Sequence, residues 1–284
     1  GGPAVIEDGR IVAPARIPCT PPEVLADLRV GEPIWFDEGR IGGRIVSAAE
    51  DEVVVSITSA PPVGGKLGAY KGINLPESDL RLPALTAHDK ETLPFIAEHA
   101  DLVGYSFIRT AADLRELYHA LDALPGRKPG VILKIETLDA FQNLPAILFE
   151  ALCRPAVGVM IARGDLAVEC GFERLAEGQE EILWLCEAAH LPVVWATQVL
   201  EGLAKRGLAS RAEITDAAFG ERAECVMLNK GPFIVETVRS LDEILQRMQE
   251  HQEKKVSLLR HLRVADDFLD SLAERAGTAS ASPS

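Results

Sequence analysis

The chain has no uninterrupted apolar run near the roughly 18 residues that a membrane-spanning helix needs. Its first ten residues, GGPAVIEDGR, carry neither a basic stretch nor an apolar core, so no secretory signal is expected, and the missing initiator Met suggests a fragment or a processed piece. The five cysteines (Cys19, Cys153, Cys170, Cys186 and Cys225) form no C-x-x-C pair and are odd in number. That argues against a thiolate metal cage or a disulfide framework, and for a reduced, cytoplasmic protein with small buried thiols. Basic residues are also short: 29 Lys and Arg against 43 Asp and Glu give a formal charge of −14. Such a field disfavours a phosphate-tracking nucleic-acid surface and an anionic membrane. Small phosphate ligands stay open, because a local Lys, a metal or a helix N-terminus can overrule the global field.

What is present is ample material for a core. The 284 residues suit one large domain or two ordinary ones. The first sixty or so read as β: Pro33–Phe36, Arg40–Ser47 and Val53–Ile57 are short β-branched runs separated by Gly and acidic turn residues. The Pro- and Gly-rich segment Pro61–Lys66 is the best linker candidate. Beyond about Lys71 the period changes. Helical stretches are expected to start near Thr86, Thr110, Leu138, Gln179, Arg211 and Ile234, the first two with Thr/Asp capping boxes. They alternate with apolar runs at Leu102–Ile108, Val131–Ile135, Val157–Ala162, Pro192–Thr197 and Cys225–Leu228. Continuous apolar strands alternating with amphipathic helices indicate a parallel α/β sheet. The expected organisation is a β-rich unit over 1–66, a barrel portion over 67–247 and a helical tail over 248–284 with a frayed end.

Each apolar run ends in a polar cluster, and parallel α/β folds build active sites at C-terminal strand ends. An enzyme is the default reading. Lys134 and Glu136 stand two apart on a strand and so share a face. They read equally well as an ion pair closing the sheet or as working groups. Asp165, at the next strand end, tips the balance: two carboxylates from neighbouring strands suit a hard cation such as Mg²⁺ or Mn²⁺, and no His/Cys cluster competes for zinc. Gly164 and Asp165 precede a turn or helix start whose free N–H groups suit a carboxylate or phosphate. Thr197 alone reads as a backbone-bonded threonine.

Taken in order, the motifs resemble the pyruvate kinase family. Gly31–Gly43 looks like its lid domain, and Lys71–Pro76 with Leu82–Thr86 resembles the return into its barrel. Ser106-Phe107-Ile108-Arg109, Lys134-Ile135-Glu136, Ala162-Arg163-Gly164-Asp165-Leu166, Ala196-Thr197-Gln198 and Arg211-Ala212-Glu213 resemble its successive strand-end motifs. The resemblance covers roughly residues 31–247. It implies a partial (β/α)8 TIM barrel with a small β-rich lid domain at the N-terminal side. The implied activity is transfer of a phosphoryl group from phosphoenolpyruvate to ADP.

The resemblance also implies roles. Lys134 would stabilise the transferring phosphoryl group and the enolate, while Glu136 and Asp165 would hold the divalent cation. Gly164 and its neighbouring amides would receive the substrate carboxylate. Thr197 would meet substrate and join the proton relay to the enolate. Ser106 and Arg109 would lie among the substrate-binding residues. Family members commonly use potassium as well and usually form tetramers, so a homo-oligomer is expected of the intact protein. The family's three strands ahead of the lid have no counterpart here, nor does its C-terminal regulatory domain, which implies a truncated chain without sugar-phosphate activation. Its usual acidic loop after the last barrel strand is replaced by Asn229-Lys230-Gly231-Pro232. A metal-dependent pyruvate-type aldolase and a catalytically silent homologue that binds phosphoenolpyruvate and metal are the rival readings.

Overall fold

The structure, a computed structural model, describes residues 2–8, 10–62 and 65–252, together with 264, 267, 268 and 270. The frayed end expected at 276–284 and most of the expected tail lie outside the described residues. The chain divides into two compact units, residues 1–83 and 84–284.

The first unit opens with a small antiparallel hairpin, β1 (Val5–Glu7) and β2 (Arg10–Ala13). Its main sheet contains β3 (Pro33–Phe36), β4 (Ile41–Ala48), β5 (Val53–Ser59) and β6 (Ile73–Asn74), in the order β5-β4-β3-β6 and antiparallel throughout. Because β6 pairs with β3, the unit runs past the Pro/Gly segment that suggested a linker. Ile34, Phe36, Ile41 and Ile45 point inward at period two and meet Val24, Leu28 and Leu75 in a small core. Gly42 stands opposite Trp35, and a Cβ there would collide with the indole ring, so only glycine allows the ring to lie flat across β4.

The second unit alternates helices and parallel strands. α1 (Ala87–His99), β7 (Leu102–Tyr105), α2 (Ala111–Asp122) and β8 (Gly130–Ile135) come first. Then follow α3 (Leu138–Gln142), α4 (Leu144–Ala151), β9 (Val157–Ala162), α5 (Arg163–Cys170) and α6 (Phe172–Ala188). β10 (Val193–Val199), α7 (Glu201–Arg206), α8 (Arg211–Phe219), β11 (Cys225–Leu228) and α9 (Ile234–Gln252) complete it. The five strands lie in the order β11-β10-β9-β8-β7, every neighbouring pair parallel, and the sheet curls into a half-barrel. Sequence neighbours pair because each helix carries the chain back to start the next strand alongside. The partial barrel read from the sequence is therefore the observed fold.

Period-two alternation decides which residues form the core. Val131, Leu133 and Ile135 of β8, Val157, Val159 and Ile161 of β9, and Val193 and Trp195 of β10 are buried in one cluster with Leu114, Leu117, Leu144, Ile147 and Ile182 from the helices. The intervening side chains, Lys134 among them, point to the other face and are freed for chemistry at the strand ends. α1 and α2 start on full capping boxes, Thr86 with Asp89 and Thr110 with Asp113, each threonine accepting the N3 amide while the aspartate accepts the N-cap amide.

Three of the boundaries that differ from the sequence reading bear on the site. β7 stops at Tyr105 rather than Ile108, because Phe107 has φ +53 and leaves the ladder. α6 begins at Phe172, seven residues ahead of Gln179, directly after Gly171 ends α5 at φ +89. β10 continues to Val199 past a bulge that the apolar pattern does not announce. Among the described residues, no helix is long and apolar enough to cross a membrane.

Candidate active site at the strand ends

The pairing register sets the rows. Tyr105 lies level with Leu133, Lys134 with Met160, Ile135 with Ile161, and Ala162 with Ala196. Continuing those rows puts Ser106, Lys134, Glu136, the start of α5 and Thr197 at one end of four adjacent strands.

Lys134 and Glu136 meet as their spacing requires. Lys134 Nζ lies 2.7 Å from Glu136 Oε1 and donates to Ser106 Oγ at 2.9 Å. The second carboxylate oxygen of Glu136 accepts the backbone N–H of Phe107 at 2.6 Å. Phe107, the residue that supplies this N–H, is itself left-handed at φ +53. Glu136 is only 3% exposed, whereas Lys134 is 26% exposed, so the carboxylate is the buried partner and the lysine the more accessible one. Burial pushes the Glu136 carboxyl above the usual carboxylate range. Lys134 and the Phe107 N–H pull against that, and the nearby negative charge of Asp165 adds to it.

Asp165 sits in the first turn of α5, half-buried, with Gly164 beside it. The helix N-cap is Ala162, which supplies no side-chain acceptor to the first-turn amides. Arg109 lies just beyond β7. Its N–H donates to Asp113 Oδ2 at 2.9 Å and its carbonyl accepts Asn143 Nδ2 at 3.1 Å, so its backbone is anchored to the helical layer.

Thr197 occupies a bulge. Between Trp195 and Val199, β10 advances four residues while β11 advances two, from Val226 to Leu228. The surplus is taken up by left-handed conformations at Thr197 (φ +72) and Gln198 (φ +60), with Leu200 at +48. For a β-branched residue this region is strained, on the order of 1–3 kcal/mol, and persists only where the surroundings enforce it. Bulges of this kind re-aim side chains next to active sites.

The carbonyls at this bulge are bound by a residue to which the sequence reading gave no role. Arg163, 9% exposed, donates from Nε to the Ala196 carbonyl at 2.7 Å and from Nη2 to the Thr197 carbonyl at 2.6 Å. Its Nη1 pairs with Asp216 Oδ1, and its Nη2 also reaches Asp216 Oδ2 at 2.9 Å. The signal in the sequence was an arginine directly after a buried strand, since a guanidinium there must find several acceptors.

A divalent cation would have two hard oxygen donors here. Among the described residues, no group of three or more His, Cys, Asp and Glu side chains stands together. The charge of Asp165 is felt at Glu136, and no third such ligand joins them among the described residues. Two such carboxylates would suit a hard divalent cation that keeps waters or substrate oxygens for its other positions. The electrostatic conflict between these carboxylates is the kind a bound cation relieves.

The fold and this constellation define a parallel β/α barrel portion with a lysine–carboxylate centre at its strand ends. The family described as "Pyruvate kinase, barrel domain" matches residues 12–246. The chain is 34% identical over 223 residues to "Pyruvate kinase" of Hypocrea jecorina, covering 76% of this chain and 40% of that protein. It is 32% identical over 252 residues to "Pyruvate kinase" of Thermococcus litoralis (86% and 50%). It is 33% identical over 225 residues to "Pyruvate kinase PKLR" of Homo sapiens (77% and 38%). The chain belongs to the pyruvate kinase family. It spans half or less of the length of these relatives.

Proposed function

We propose that the protein carrying this chain is a pyruvate kinase, which transfers the phosphoryl group of phosphoenolpyruvate to ADP and yields pyruvate and ATP, a step of glycolysis in the cytoplasm. The observation that carries this reading is the Lys134 ammonium, held 2.7 Å from a buried glutamate and 2.9 Å from Ser106 at the strand ends of the matched barrel. Phosphoryl transfer requires positioning and neutralisation of migrating negative charge more than covalent chemistry. Lys134 supplies a cation held between Glu136 and Ser106 and still partly exposed. Gly164 and the amides of the first turn of α5 receive the substrate carboxylate, Ser106 and Arg109 border it, and Thr197 presents its hydroxyl to the enolate carbon that must gain a proton. Glu136 and Asp165 would hold Mg²⁺ or Mn²⁺, which when bound neutralises phosphoryl oxygens. Potassium and a homo-oligomeric assembly are carried over from the family.

The test is a coupled assay for pyruvate formation from phosphoenolpyruvate, with and without ADP, in the protein as its gene encodes it. ADP-dependent pyruvate release with matching ATP is expected. Pyruvate release that ignores ADP would remove the kinase reading, and binding of phosphoenolpyruvate without turnover would favour the silent homologue.

A further inference from the structure

The β10–α7 turn is held from two sides by a single helix, α8. From one side, Asp216 anchors Arg163, whose guanidinium bonds the carbonyls of Ala196 and Thr197. From the other, Glu213 accepts the N–H of Gly202 in α7 and the N–H of Ser210 at 2.7 Å. A Cβ on Gly202 would lie 2.8 Å from both Glu213 oxygens, so the close approach depends on glycine. Between these clamps stand the three left-handed residues Thr197, Gln198 and Leu200.

We propose that Arg163, anchored by Asp216, is a positioning residue that fixes the Thr197 backbone in its left-handed conformation and so aims the Thr197 hydroxyl at the substrate. The role rests on the reading of Thr197 as a substrate-facing group. The planar guanidinium suits it: three of its nitrogens serve two carbonyls and a carboxylate in one plane, while its face covers the Trp195 ring at 4.3 Å. A lysine ammonium carries the same charge but not the fork. Charge alone therefore cannot replace Arg163, and turnover depends on it only while Thr197 has a hydroxyl to aim.

That coupling is the test. Turnover is measured in the protein as its gene encodes it, for wild type, Arg163→Lys, Thr197→Ala and the double variant. Amide hydrogen exchange over residues 196–204 is followed in wild type, Arg163→Lys and Asp216→Asn. Arg163→Lys is expected to lower turnover about tenfold to a hundredfold when Thr197 is present, the scale of a misplaced group. With Thr197→Ala in place the further loss should stay within about threefold, as for residues acting as one unit. Exchange over 196–204 should quicken in both Arg163→Lys and Asp216→Asn. Equal losses in the two backgrounds, or exchange unchanged in both variants, would overturn the positioning role. Asp216→Asn keeps the shape of the anchor and carries the same cycle if Arg163→Lys does not fold. A wild type with no phosphoenolpyruvate- and ADP-dependent turnover would remove the kinase reading, and the exchange measurements would then decide the positioning of the turn alone.

Discussion

The Arg163 guanidinium stacks over the ring of Trp195, 4.3 Å from its centroid, at a site where the indole is fully buried and its Nε1 finds no acceptor among the described residues. The ring faces Arg163 on one side and packs 5.2 Å from Phe219 on another. Gly220 leaves the space, since a Cβ there would lie 2.9 Å from the indole. An apolar residue is thus serving as the floor of a charged network, and cation–π attraction is strongest where water is excluded.

This arrangement predicts an ordering of variants. Trp195→Ala removes a core ring and should cost about 3–5 kcal/mol. Trp195→Phe keeps an aromatic face under the guanidinium and deletes the unpaired donor, so it should cost about 1–2 kcal/mol. Urea denaturation followed by circular dichroism compares them. Equal costs would mean that neither the bulk nor the aromatic face that phenylalanine retains stabilises this site.

Lys134→Met tests the proposed centre. A cation placed where negative charge migrates acts mainly in the transition state, so turnover should fall about 10²–10³-fold. Turnover over Michaelis constant should fall in parallel. A variant that only raises the Michaelis constant for phosphoenolpyruvate would reduce Lys134 to a binding residue. The same change frees Glu136 from its 2.7 Å partner, so thermal unfolding must be recorded alongside.

Much of this was legible in the residues. Alternating strands and helices, the capping threonines and the Lys134–Glu136 spacing depend on local periodicity, which a sequence displays directly. Less local features were hidden. The bulge at Thr197 is a mismatch between two strands, visible only once β10 and β11 are in register. Arg163 finds Asp216 fifty-three residues away, so no spacing rule connects them. Phe107 reads as one more apolar strand residue, but it leaves the strand and its backbone N–H donates to Glu136, a partner that residue type does not encode.

Glu136 and Asp165 should share one divalent cation. Burial, with a smaller addition from the Asp165 charge, raises the Glu136 carboxyl, and a bound cation would offset both. Paramagnetic relaxation with Mn²⁺ in wild type and Asp165→Ala measures this. The variant is expected to bind about tenfold or more weakly, as when one of few carboxylate ligands is lost. Equal affinities would sink the shared site.

The last prediction concerns acid stability in the first unit, where Asp27 is tied to Arg81. The carboxylate accepts the Arg81 N–H at 2.9 Å and its Nε–H at 2.7 Å, with Nη2 at 2.5 Å from the same oxygen. The backbone bond first, then the side-chain bond and the guanidinium charge, hold the Asp27 carboxyl below the usual carboxylate range, against the opposing effect of burial. The sign follows from linkage. A carboxyl whose folded pKa is depressed stabilises the fold above its unfolded value, about 3.9. That contribution is lost as pH falls through the lower folded value. Local stability in this unit, read by hydrogen exchange over residues 22–48, should therefore be flat from neutrality to about pH 5 and decline below about pH 4. Asp27→Asn should exchange faster than wild type at neutral pH, and the gap should narrow on acidification because both then carry an uncharged group. A gap that stays constant down to pH 3 would mean that Asp27 stabilises the unit through its shape and hydrogen bonds, and that its charge does nothing.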